Sequence, residues 1–405
     1  MDKTIRTAPE IRFPGFKEPW EQRRLGNLGT TFTGLSGKAK QDFGHGEAQF
    51  VTYMNVYTNP ISKLNMTEHV EIDNRQNKVQ FGDIFFTTSS ETPEEVGMSS
   101  VWLDNSDNTY LNSFCFGFRP KTSLSPYYMA YMLRSAGVRE KIIFLAQGIS
   151  RYNISKNRMM NIEVPLPTLN EQEKIGAFFK SVDALIFLHQ RKHDFLQELK
   201  RGMLQVMFPQ KGEKVPKVRF PGFTSPWEQR KFGDVFEEYS DKGYPNLPAL
   251  TIIQGGGTIR RNESDRNLQY DKNNLANYKK VEKGDFIVHL RSFEGGLEKA
   301  TDCGVISPAY HTFHGEGTDS RFYYCYFRSN KFINHDLKPH VYGIRDGRSI
   351  DIESMKTIKI PWTNLEEQKA IGDYIDCIDS LITLHQRKLE QLREMKKGLL
   401  QKMFI

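Results

Sequence analysis

The chain repeats itself, and this internal duplication is the strongest constraint on how its 405 residues can fold. Residues 12–26, RFPGFKEPWEQRRLG, return at residues 219–233 as RFPGFTSPWEQRKFG, with 11 of 15 positions identical. Residues 171–208 match residues 367–404 without a gap, and 20 of these 38 positions are identical. Each half therefore begins and ends with a copied segment, and such self-similarity indicates a repeated structural unit.

The segments between these copies have diverged. Residues 27–170 and 234–366 differ in length and share little beyond the pair Gly82-Asp83, which returns as Gly284-Asp285. Both are rich in aromatic and β-branched runs punctuated by Gly, Asn and Asp, which is typical of short strands joined by turns. We therefore predict two mixed α and β domains, with a helix near residues 126–145 and its counterpart around residues 320–338.

The copied segments that end the two halves predict long helices. Their apolar residues recur every seven positions, with a second set three residues after the first, as in a coiled-coil seam. Asn170 and Asn364 are suited to cap the first turns, where the following glutamates favour the positive end of the helix dipole. The seam is too narrow to be stable alone, so we predict that the two helices pair with each other in antiparallel orientation, as a pseudo-two-fold repeat. The predicted helix-pairing residues are Ile175, Phe178, Val182, Leu185, Leu196, Leu199, Ile371, Tyr374, Ile378, Leu381, Leu392 and Met395.

The charge balance favours a polyanionic partner without identifying one. The chain has 56 Lys and Arg against 49 Asp and Glu, a formal charge of +7. Its four cysteines, Cys115, Cys303, Cys325 and Cys377, form no CxxC pair, which indicates a reduced, cytosolic protein without a metal site. No apolar run approaches the roughly 20 residues that cross a bilayer, and the first residues lack the apolar core of a secretory signal. We therefore expect no membrane or export role.

The motifs of a self-sufficient DNA enzyme are missing. An adenine methyltransferase needs Asn or Asp followed by two prolines and an aromatic residue, and the nearest string here is Asn59-Pro60-Ile61. The run QGGG at residues 254–257 is not a P-loop, because no Gly-Lys-Ser or Gly-Lys-Thr follows it. Asp83 and Asp285, each after a glycine at a strand start, are more typical of turns than of catalysis. We therefore predict no independent turnover.

The order of the motifs resembles one known family. Each half shows W-E-Q-R-x-x-G, a divergent domain, and a proline-bearing segment that leads into the long helix; the first such segment reads GISRYNISKNRMMNIEVPLPTLNEQEKI. This arrangement, present twice and covering essentially the whole chain, closely resembles the specificity subunit of type I restriction-modification enzymes. The second copy, GIRDGRSIDIESMKTIKIPWTNLEEQ, departs from the first at Trp362 and Asn364, where the first has Leu166 and Thr168.

The resemblance implies an organisation for the whole chain. In that family two target recognition domains alternate with two helices that pair as an antiparallel coiled coil, and each domain reads half of a bipartite DNA site. For this chain it implies an N-terminal tail over residues 1–11, a recognition domain over 12–161 and a central spacer helix within 162–210. A linker over 211–218, a second recognition domain over 219–357 and a distal spacer helix within 358–405 complete the chain.

The same resemblance implies partners in place of catalysis. The subunit would bind double-stranded DNA and hold two modification subunits, which carry S-adenosylmethionine and methylate adenine. Restriction subunits that use ATP and Mg would join in the full complex. The chain itself would need no cofactor, and it would reside in the cytoplasm of a prokaryotic cell with the nucleoid.

The predicted helices also act as a ruler. About 35 residues at about 1.5 Å each span roughly 50 Å, or about 15 base pairs. Two readers held by such helices should bind separated half-sites with a gap of fixed length. Because the two divergent domains differ, the target should be asymmetric.

Candidate DNA contacts combine basic groups for phosphates with polar or planar groups for base edges. In the loop at residues 148–158, Arg151 is suited to read guanine and Tyr152 to pack on sugar or base; the alternative is a merely solvated loop. Lys38 and Lys40 lie in the glycine-rich stretch GLSGKAK, and Arg260 and Arg261 follow the glycine run at residues 255–257. Glycines permit close approach of the backbone to a phosphate, although a glycine run is more often only a flexible turn. The full set of candidates is Lys38, Lys40, Ser89, Ser90, Arg151, Tyr152, Lys156, Arg158, Arg260, Arg261, Arg291, Ser292, Tyr342, Arg345 and Arg348.

Two other classes of function stay open on the sequence alone. A self-sufficient enzyme that methylates or cuts DNA would bind S-adenosylmethionine as a purified chain. A coiled-coil interaction protein would show no tight, salt-dependent binding to DNA, even in its assembled complex.

Overall fold

The computed structural model describes residues 8–210, 212–264, 272–289, 291–343 and 348–405. The chain divides into two compact units, residues 1–190 with 387–405, and residues 191–386. Each unit thus combines one divergent domain with the first part of the long helix that follows it and the last part of the other long helix. Within the described ranges, no helix is both long enough and apolar enough to cross a membrane.

The first unit is built on two small sheets, of strand order β2-β9-β5-β7 and β4-β3-β8, and on short helices. Its strands are Glu21–Arg24 (β1), Gly29–Thr33 (β2), Phe43–Val51 (β3), Thr67–Val70 (β4), Ile84–Thr87 (β5), Ser89–Ser90 (β6), Ser99–Val101 (β7), Thr109–Leu111 (β8), Cys115–Pro120 (β9), Tyr152–Asn153 (β10) and Glu163–Leu166 (β11). Its helices are Tyr53–Thr58 (α1), Pro126–Met132 (α2), Ala136–Ile143 (α3) and Lys156–Met160 (α4), followed by the start of Leu169–Val206 (α5).

The second unit has a four-stranded antiparallel sheet of order β13-β20-β17-β18 and several two-stranded ribbons. Its strands are Glu228–Lys231 (β12), Glu237–Tyr239 (β13), Leu250–Ile253 (β14), Gly257–Arg260 (β15), Lys279–Val281 (β16), Phe286–Val288 (β17), Glu298–Lys299 (β18), Gly304–Ile306 (β19), His311–His314 (β20), Val341–Tyr342 (β21), Ser349–Ile350 (β22) and Lys359–Trp362 (β23). Its helices are Phe232–Val235 (α6), Ser292–Gly295 (α7), Ser320–Phe327 (α8) and Ile352–Met355 (α9), followed by the start of Leu365–Lys402 (α10).

The helix predicted near residues 126–145 is divided into α2 and α3. At the break, the Arg134 guanidinium donates to the backbone oxygen of Ser99 and to the carbonyl oxygens of Val56, Tyr57 and Asn59 at the end of α1. Burial lowers the pKa of Arg134 to about 10, which still leaves it charged at neutral pH. The side chain therefore ties the break between the two helices to the sheet and to α1, a long-range contact that no local pattern reveals.

The two copied segments of each half meet in space. In the first unit β1 pairs with β11, and Arg12 Nε donates to the fully buried Glu171 carboxylate over 2.6 Å. In the second unit β12 pairs with β23 in the same antiparallel manner, and Arg219 Nε donates to the buried Glu367 over 2.5 Å. The hydrogen bond with Glu171 raises the pKa of Arg12, and Glu367 does the same for Arg219. The beginning and end of each half are therefore copied together because they form one structural joint.

The two long helices pair in antiparallel orientation, as the sequence predicted. In the first unit the Asp183 carboxylate of α5 accepts from Lys396 Nζ of α10 over 2.5 Å, and Arg393 Nη2 donates to Gln190 over 3.0 Å. In the second unit the repeat-equivalent pair is Lys200 Nζ with Asp379, over 2.6 Å. As residue numbers rise along one helix, those of its partners fall along the other.

The sequence analysis predicts a second set of seam residues three positions after the first set, or first stripe, whereas the structure buries a second stripe four positions after it. Ile175, Val182, Leu196, Ile371 and Ile378 are buried, as predicted. Leu185, Leu381 and Met395, by contrast, are 46%, 38% and 44% exposed. The structure buries residues four positions after the first stripe, namely Phe179, Met207, Ile375, Leu389 and Met403.

The geometry of the α-helix explains why the second stripe was predicted one residue too early. Both three-residue and four-residue steps return to the same helix face, so a pattern rich in apolar residues does not distinguish them. The predicted residues Phe178, Leu199, Tyr374 and Leu392 are half-buried. Phe178 packs edge-on against Phe13, with ring centroids 5.8 Å apart, in the first unit.

One of the two predicted helix caps is confirmed. The Asn364 side-chain oxygen accepts from the backbone N–H of Glu367 over 2.8 Å, at the start of α10. Asn170 does not cap α5, because that helix already begins at Leu169 and Asn170 is its second residue. Thr168 occupies the position equivalent to Asn364, and its carbonyl accepts from the Gln172 N–H over 3.0 Å.

Each long helix ends in an aromatic core. After α10, Met403 and Phe404 are buried in the first unit, where the Phe404 ring lies 5.8 Å from Phe179 and 5.6 Å from Tyr128. After α5, Phe208 is buried in the second unit, with its ring 5.1 Å from Phe322. The copied Met-Phe pair after each long helix, Met207-Phe208 and Met403-Phe404, therefore completes the hydrophobic core of one unit; we call this the plug role.

Candidate nucleic-acid interface

The shared Gly-Asp pairs form turns that start β5 and β17. The Asp83 carboxylate accepts from the Gln80 N–H over 2.7 Å, and Asp285 accepts from the Glu282 N–H over 2.6 Å. Both side chains are buried, and each has a side-chain partner: the Arg119 guanidinium lies 2.7 Å from Asp83, and His314 Nδ1 lies 2.7 Å from Asp285. These aspartates therefore fix the strands whose far ends carry the candidate contacts.

In the first unit the end of β5 brings four of the predicted residues together. The following strand β6 pairs with β10, so that Tyr152 lies opposite Ser90 and Asn153 opposite Ser89. Arg151, which is exposed, donates from Nη2 to the Ser89 hydroxyl over 3.2 Å. The loop at residues 148–153 and the segment after β5, predicted as separate candidates, form one ribbon.

Helix α1 supports this ribbon from behind. The Tyr53 hydroxyl donates to the Ser89 carbonyl over 2.8 Å, and the Ser90 hydroxyl donates to Glu95 over 3.1 Å. Tyr57, stacked on Tyr53, shares a hydrogen bond with Glu95 that lowers the pKa of the carboxyl and raises that of the phenol to about 12. Ser89 and Ser90 are largely buried, so their hydroxyls chiefly orient their charged neighbours.

Two further predicted cations follow on α4, directly after the ribbon. The Ile154 N–H donates to the Thr88 carbonyl over 2.9 Å, which fixes the start of this segment beside β5. Lys156 is half-buried and Arg158 is exposed. Both are placed to add positive charge next to Arg151, as phosphate contacts require.

Lys38 and Lys40 belong to another part of the first unit. The Lys38 ammonium forms an ion pair with Asp73 at 3.3 Å, and its side chain is only 12% exposed. In this structure Lys38 therefore stabilises a loop and does not face solvent as an open phosphate contact. Lys40 is exposed at the start of a short 3-10 turn, Lys40–Asp42.

In the second unit the end of β17 leads into a tight turn. The His289 N–H donates to the Ser292 hydroxyl over 2.9 Å, and the Arg291 N–H donates to His289 Nδ1 over 3.3 Å. Ser292 is wholly buried, so it supports the turn instead of facing a ligand. Arg291 is exposed, and burial lowers the pKa of His289 to about 4, which keeps this imidazole neutral at physiological pH.

Arg348 adds a second cation to this turn. Its Nη2 donates to the Glu294 carboxylate of α7 over 3.2 Å, and its guanidinium lies 4.5 Å from the ring centroid of Phe293. Tyr342 is exposed on β21, which pairs with β22 immediately after Arg348. The predicted contact Arg345 lies outside the described residues. The two units are alike in this respect. Arg151 precedes the two-residue strand β10 and contacts the segment after β5, and Arg348 precedes the two-residue strand β22 and contacts the segment after β17.

The glycine run at residues 255–257 does not face an external anion. The backbone N–H groups of Gly255 and Gly257 donate to the fully buried Glu298 carboxylate over 2.7 and 3.0 Å. The Tyr324 hydroxyl donates to the same carboxylate over 2.8 Å, and Arg328 pairs with it. The Glu298 carboxylate therefore already binds the backbone N–H groups that a phosphate would need.

The neighbouring predicted arginines have internal partners as well. Arg260 lies 3.4 Å from Asp302, with both side chains about half exposed. Arg261 Nε donates to the Leu250 carbonyl over 3.3 Å, and its guanidinium lies over the Tyr278 ring. Of the two, Arg260 is the more accessible to a ligand.

Sequence reasoning missed the residues that organise these sites. Glu95, Phe293, Glu294 and Glu298 received no role, although three of them are carboxylates within a few residues of predicted contacts. For Glu294, the sequence signal that could have indicated a place near the predicted contacts is its position three residues after Arg291, in RSFEGG. Apart from the hydrogen bond between Ser90 and Glu95, the other contacts join residues 26 to 55 positions apart, which a local pattern does not connect.

Comparison with known proteins gives the family. A model described as the type I restriction modification DNA specificity domain matches the chain twice, over residues 17–198 and 224–394. The two matches coincide with the two halves of the repeat and together include most of the chain.

Individual relatives agree with the family match. A putative type I restriction enzyme MjaX specificity subunit of Methanocaldococcus jannaschii is 23% identical over 400 residues, which cover 95% of this chain and 92% of the relative. The MjaVIII specificity subunit of the same organism is 25% identical over 293 residues, covering 67% of this chain and 68% of that protein.

A solved structure has the same fold. The S subunit of a type I restriction-modification system from M. genitalium superposes with a TM-score of 0.55 at 14% identity, covering 98% of this chain and 99% of that one. Together with the doubled family match and the pair of antiparallel helices, this identifies the chain as a member of the type I restriction-modification DNA specificity subunit family.

Proposed function

We propose that the two halves of this specificity subunit read the two unlike parts of one asymmetric, bipartite DNA sequence. The observation that supports this most directly is a common scaffold with different side chains at the reading position. Arg151 is paired with a serine hydroxyl in the first half, and Arg348 is paired with a carboxylate and an aromatic ring in the second. Different donors and acceptors select different base pairs.

We further propose that α5 and α10 set the gap between the half-sites and dock two modification subunits. Each helix has 38 residues and so is about 57 Å long. Methylation of adenine with S-adenosylmethionine would be carried out by those partners, and ATP- and Mg-dependent cleavage by restriction subunits. This chain then contributes recognition alone, in the cytoplasm of a prokaryotic cell.

Methylome mapping tests the proposal. Cells that carry the chain together with its modification subunits should methylate adenine at one interrupted, asymmetric sequence, and cells lacking only this chain should not. A palindromic motif, or a methylation pattern unchanged by loss of the chain, would refute it.

Replacing Arg151 by alanine should weaken binding at one half-site only. A guanidinium that contacts guanine bidentately contributes about 1–3 kcal/mol of discrimination, so the preference for guanine at one position should fall by a factor of about 5 to 150. The measurement is competition binding by the assembled complex to duplexes with single substitutions. Arg24, an exposed arginine of β1 in the same half, provides the matched alanine control. Equal loss on all sequences would instead identify Arg151 as a phosphate contact.

A further inference from the structure

We propose that Glu294 is a base-reading residue of the second half-site, where its carboxylate accepts a hydrogen bond from the exocyclic amino group of a cytosine or an adenine. The inference deepens the proposed function and rests on it. It assigns a role to a residue that neither the sequence motifs nor the repeat pointed to.

The geometry of Glu294 holds a carboxylate at the reading surface. It lies on α7, the single helical turn that follows Arg291, and accepts from Arg348 Nη2 over 3.2 Å. The side chains of Glu294 and Arg348 are 41% and 44% exposed, so a DNA groove can reach both. The Phe293 ring, 4.5 Å from the Arg348 guanidinium, restricts the arginine and with it the carboxylate.

Stability does not explain this ion pair. Exposed ion pairs contribute little to the free energy of unfolding, because water screens the charges and ordering two side chains costs entropy. Glu298 in the same unit is different, because it is fully buried and holds two backbone N–H groups. Glu294 therefore differs from the structural carboxylates of its own domain.

A carboxylate at a DNA-binding surface has a specific cost and a specific use. It repels phosphates, so it weakens binding unless it meets a hydrogen-bond donor on the DNA. In the major groove the donors are the N4 amino group of cytosine and the N6 amino group of adenine, whereas guanine O6 and thymine O4 are acceptors that a carboxylate disfavours. A fixed glutamate thus selects amino-bearing bases and rejects the others.

Among the described residues of the first half, Arg151 forms no ion pair with a carboxylate, which fits two unlike half-sites. There Glu95, one of the carboxylates after the Gly-Asp strand, is engaged by the Ser90 hydroxyl and by Tyr57 from α1. Arg151 contacts a hydroxyl instead of a carboxylate. Within the described residues, the pairing of the candidate arginine with a carboxylate therefore belongs to the second half.

The test is a coupling experiment between a protein change and a base change. The complex of the full chain with its modification subunits is compared with the Glu294→Ala complex, which lacks the acceptor, on duplexes with every single substitution in both half-sites. We expect the preference for cytosine or adenine to fall about tenfold at one position of one half-site, with the other half-site unchanged. Glu316→Ala is the control, since Glu316 is exposed and follows β20 at the opposite end of the sheet from α7.

At that position the amino-bearing base is then replaced by its analogue without the amino group, pyrimidin-2-one for cytosine or purine for adenine. The wild-type complex should lose about tenfold in affinity, and the Glu294→Ala complex less than about twofold, because the alanine variant already lacks the contact with the amino group. Independent, multiplying losses would mean that Glu294 acts only by positioning Arg348, and an unchanged base profile would mean that it reads nothing; either result overturns the proposal. If the wild-type complex itself showed no sequence preference, the proposed function would fail instead.

Discussion

Replacing Glu298 by alanine is expected to lower the free energy of unfolding of the second unit by about 3 kcal/mol or more. The fully buried carboxylate accepts hydrogen bonds from the N–H groups of Gly255 and Gly257 and from the Tyr324 hydroxyl, and it pairs with Arg328. Removing it leaves a cation only 26% exposed and three donors without their acceptor. Loss of one partner from such a set is far more costly than loss of an exposed ion pair.

Hydrogen exchange on the full chain is the suitable measurement, because it reports the two units separately. Amides of β14, β15 and β18 should lose protection in Glu298→Ala, whereas those of β5 and β9 in the first unit should not change. Glu316→Ala provides the exposed control and should leave all of these rates within error. A Glu298→Ala protein with wild-type protection would show that the carboxylate is not needed to hold the glycine turn.

The second large effect is expected for Phe404→Ala, which should destabilise the first unit by about 3–5 kcal/mol. Phe404 is 5% exposed, and its ring packs against Trp20, Tyr128 and Phe179. Truncation removes this apolar surface and leaves a cavity between three aromatic rings that have little room to collapse. The destabilised residues lie more than 200 positions earlier in the chain.

Thermal unfolding together with hydrogen exchange distinguishes this effect from a general one. In Phe404→Ala, protection should fall in α2 and at the β1–β11 joint, and it should persist in α8. The repeat-equivalent change Phe208→Ala should produce the reverse, because Phe208 packs on Trp227 and Phe322 in the second unit. Gln401→Ala, at an exposed position of α10, is the neutral control. Equal protection of α2 in the Phe404→Ala and Gln401→Ala proteins would contradict the plug role.

The sequence predicted the parts of the fold that the repeat encodes. Identical residues in two places imply identical local structure, and both long helices and their antiparallel pairing follow from that. The repeat does not indicate which residues the copied segments at the start and end of each half contact. The ion pair of Arg12 with Glu171 joins residues 159 positions apart, and no periodicity links them.

The helix seam shows a different limit. The first stripe through Ile175 and Val182 was predictable from its seven-residue recurrence. The second was not, because Phe178 and Phe179 are both aromatic and both lie within one step of the same face. Packing against the Phe404 ring, which buries Phe179, decides between them.

The candidate site was predicted as isolated segments and assembled only by the structure. Ser89 and Arg151 are polar residues in separate segments, 62 positions apart, and no local pattern links them. The pairing of β6 with β10 makes them neighbours, and strand register is a tertiary property. In the second half the glycine run suggested an open anion site, whereas Glu298, 41 residues after Gly257, occupies it.

The ends of the two helices have a consequence for synthesis on the ribosome. Residues 8–190 leave the exit tunnel first, but their core is completed by Met403 and Phe404, which are translated roughly 200 residues later. At about 5–20 residues per second, the nascent first domain waits on the order of 10–40 s with Trp20, Tyr128 and Phe179 uncovered. The second domain receives its own Met207 and Phe208 before the rest of it is made. The domain translated first is therefore the last to complete its core, and during that interval its apolar surface is exposed to aggregation.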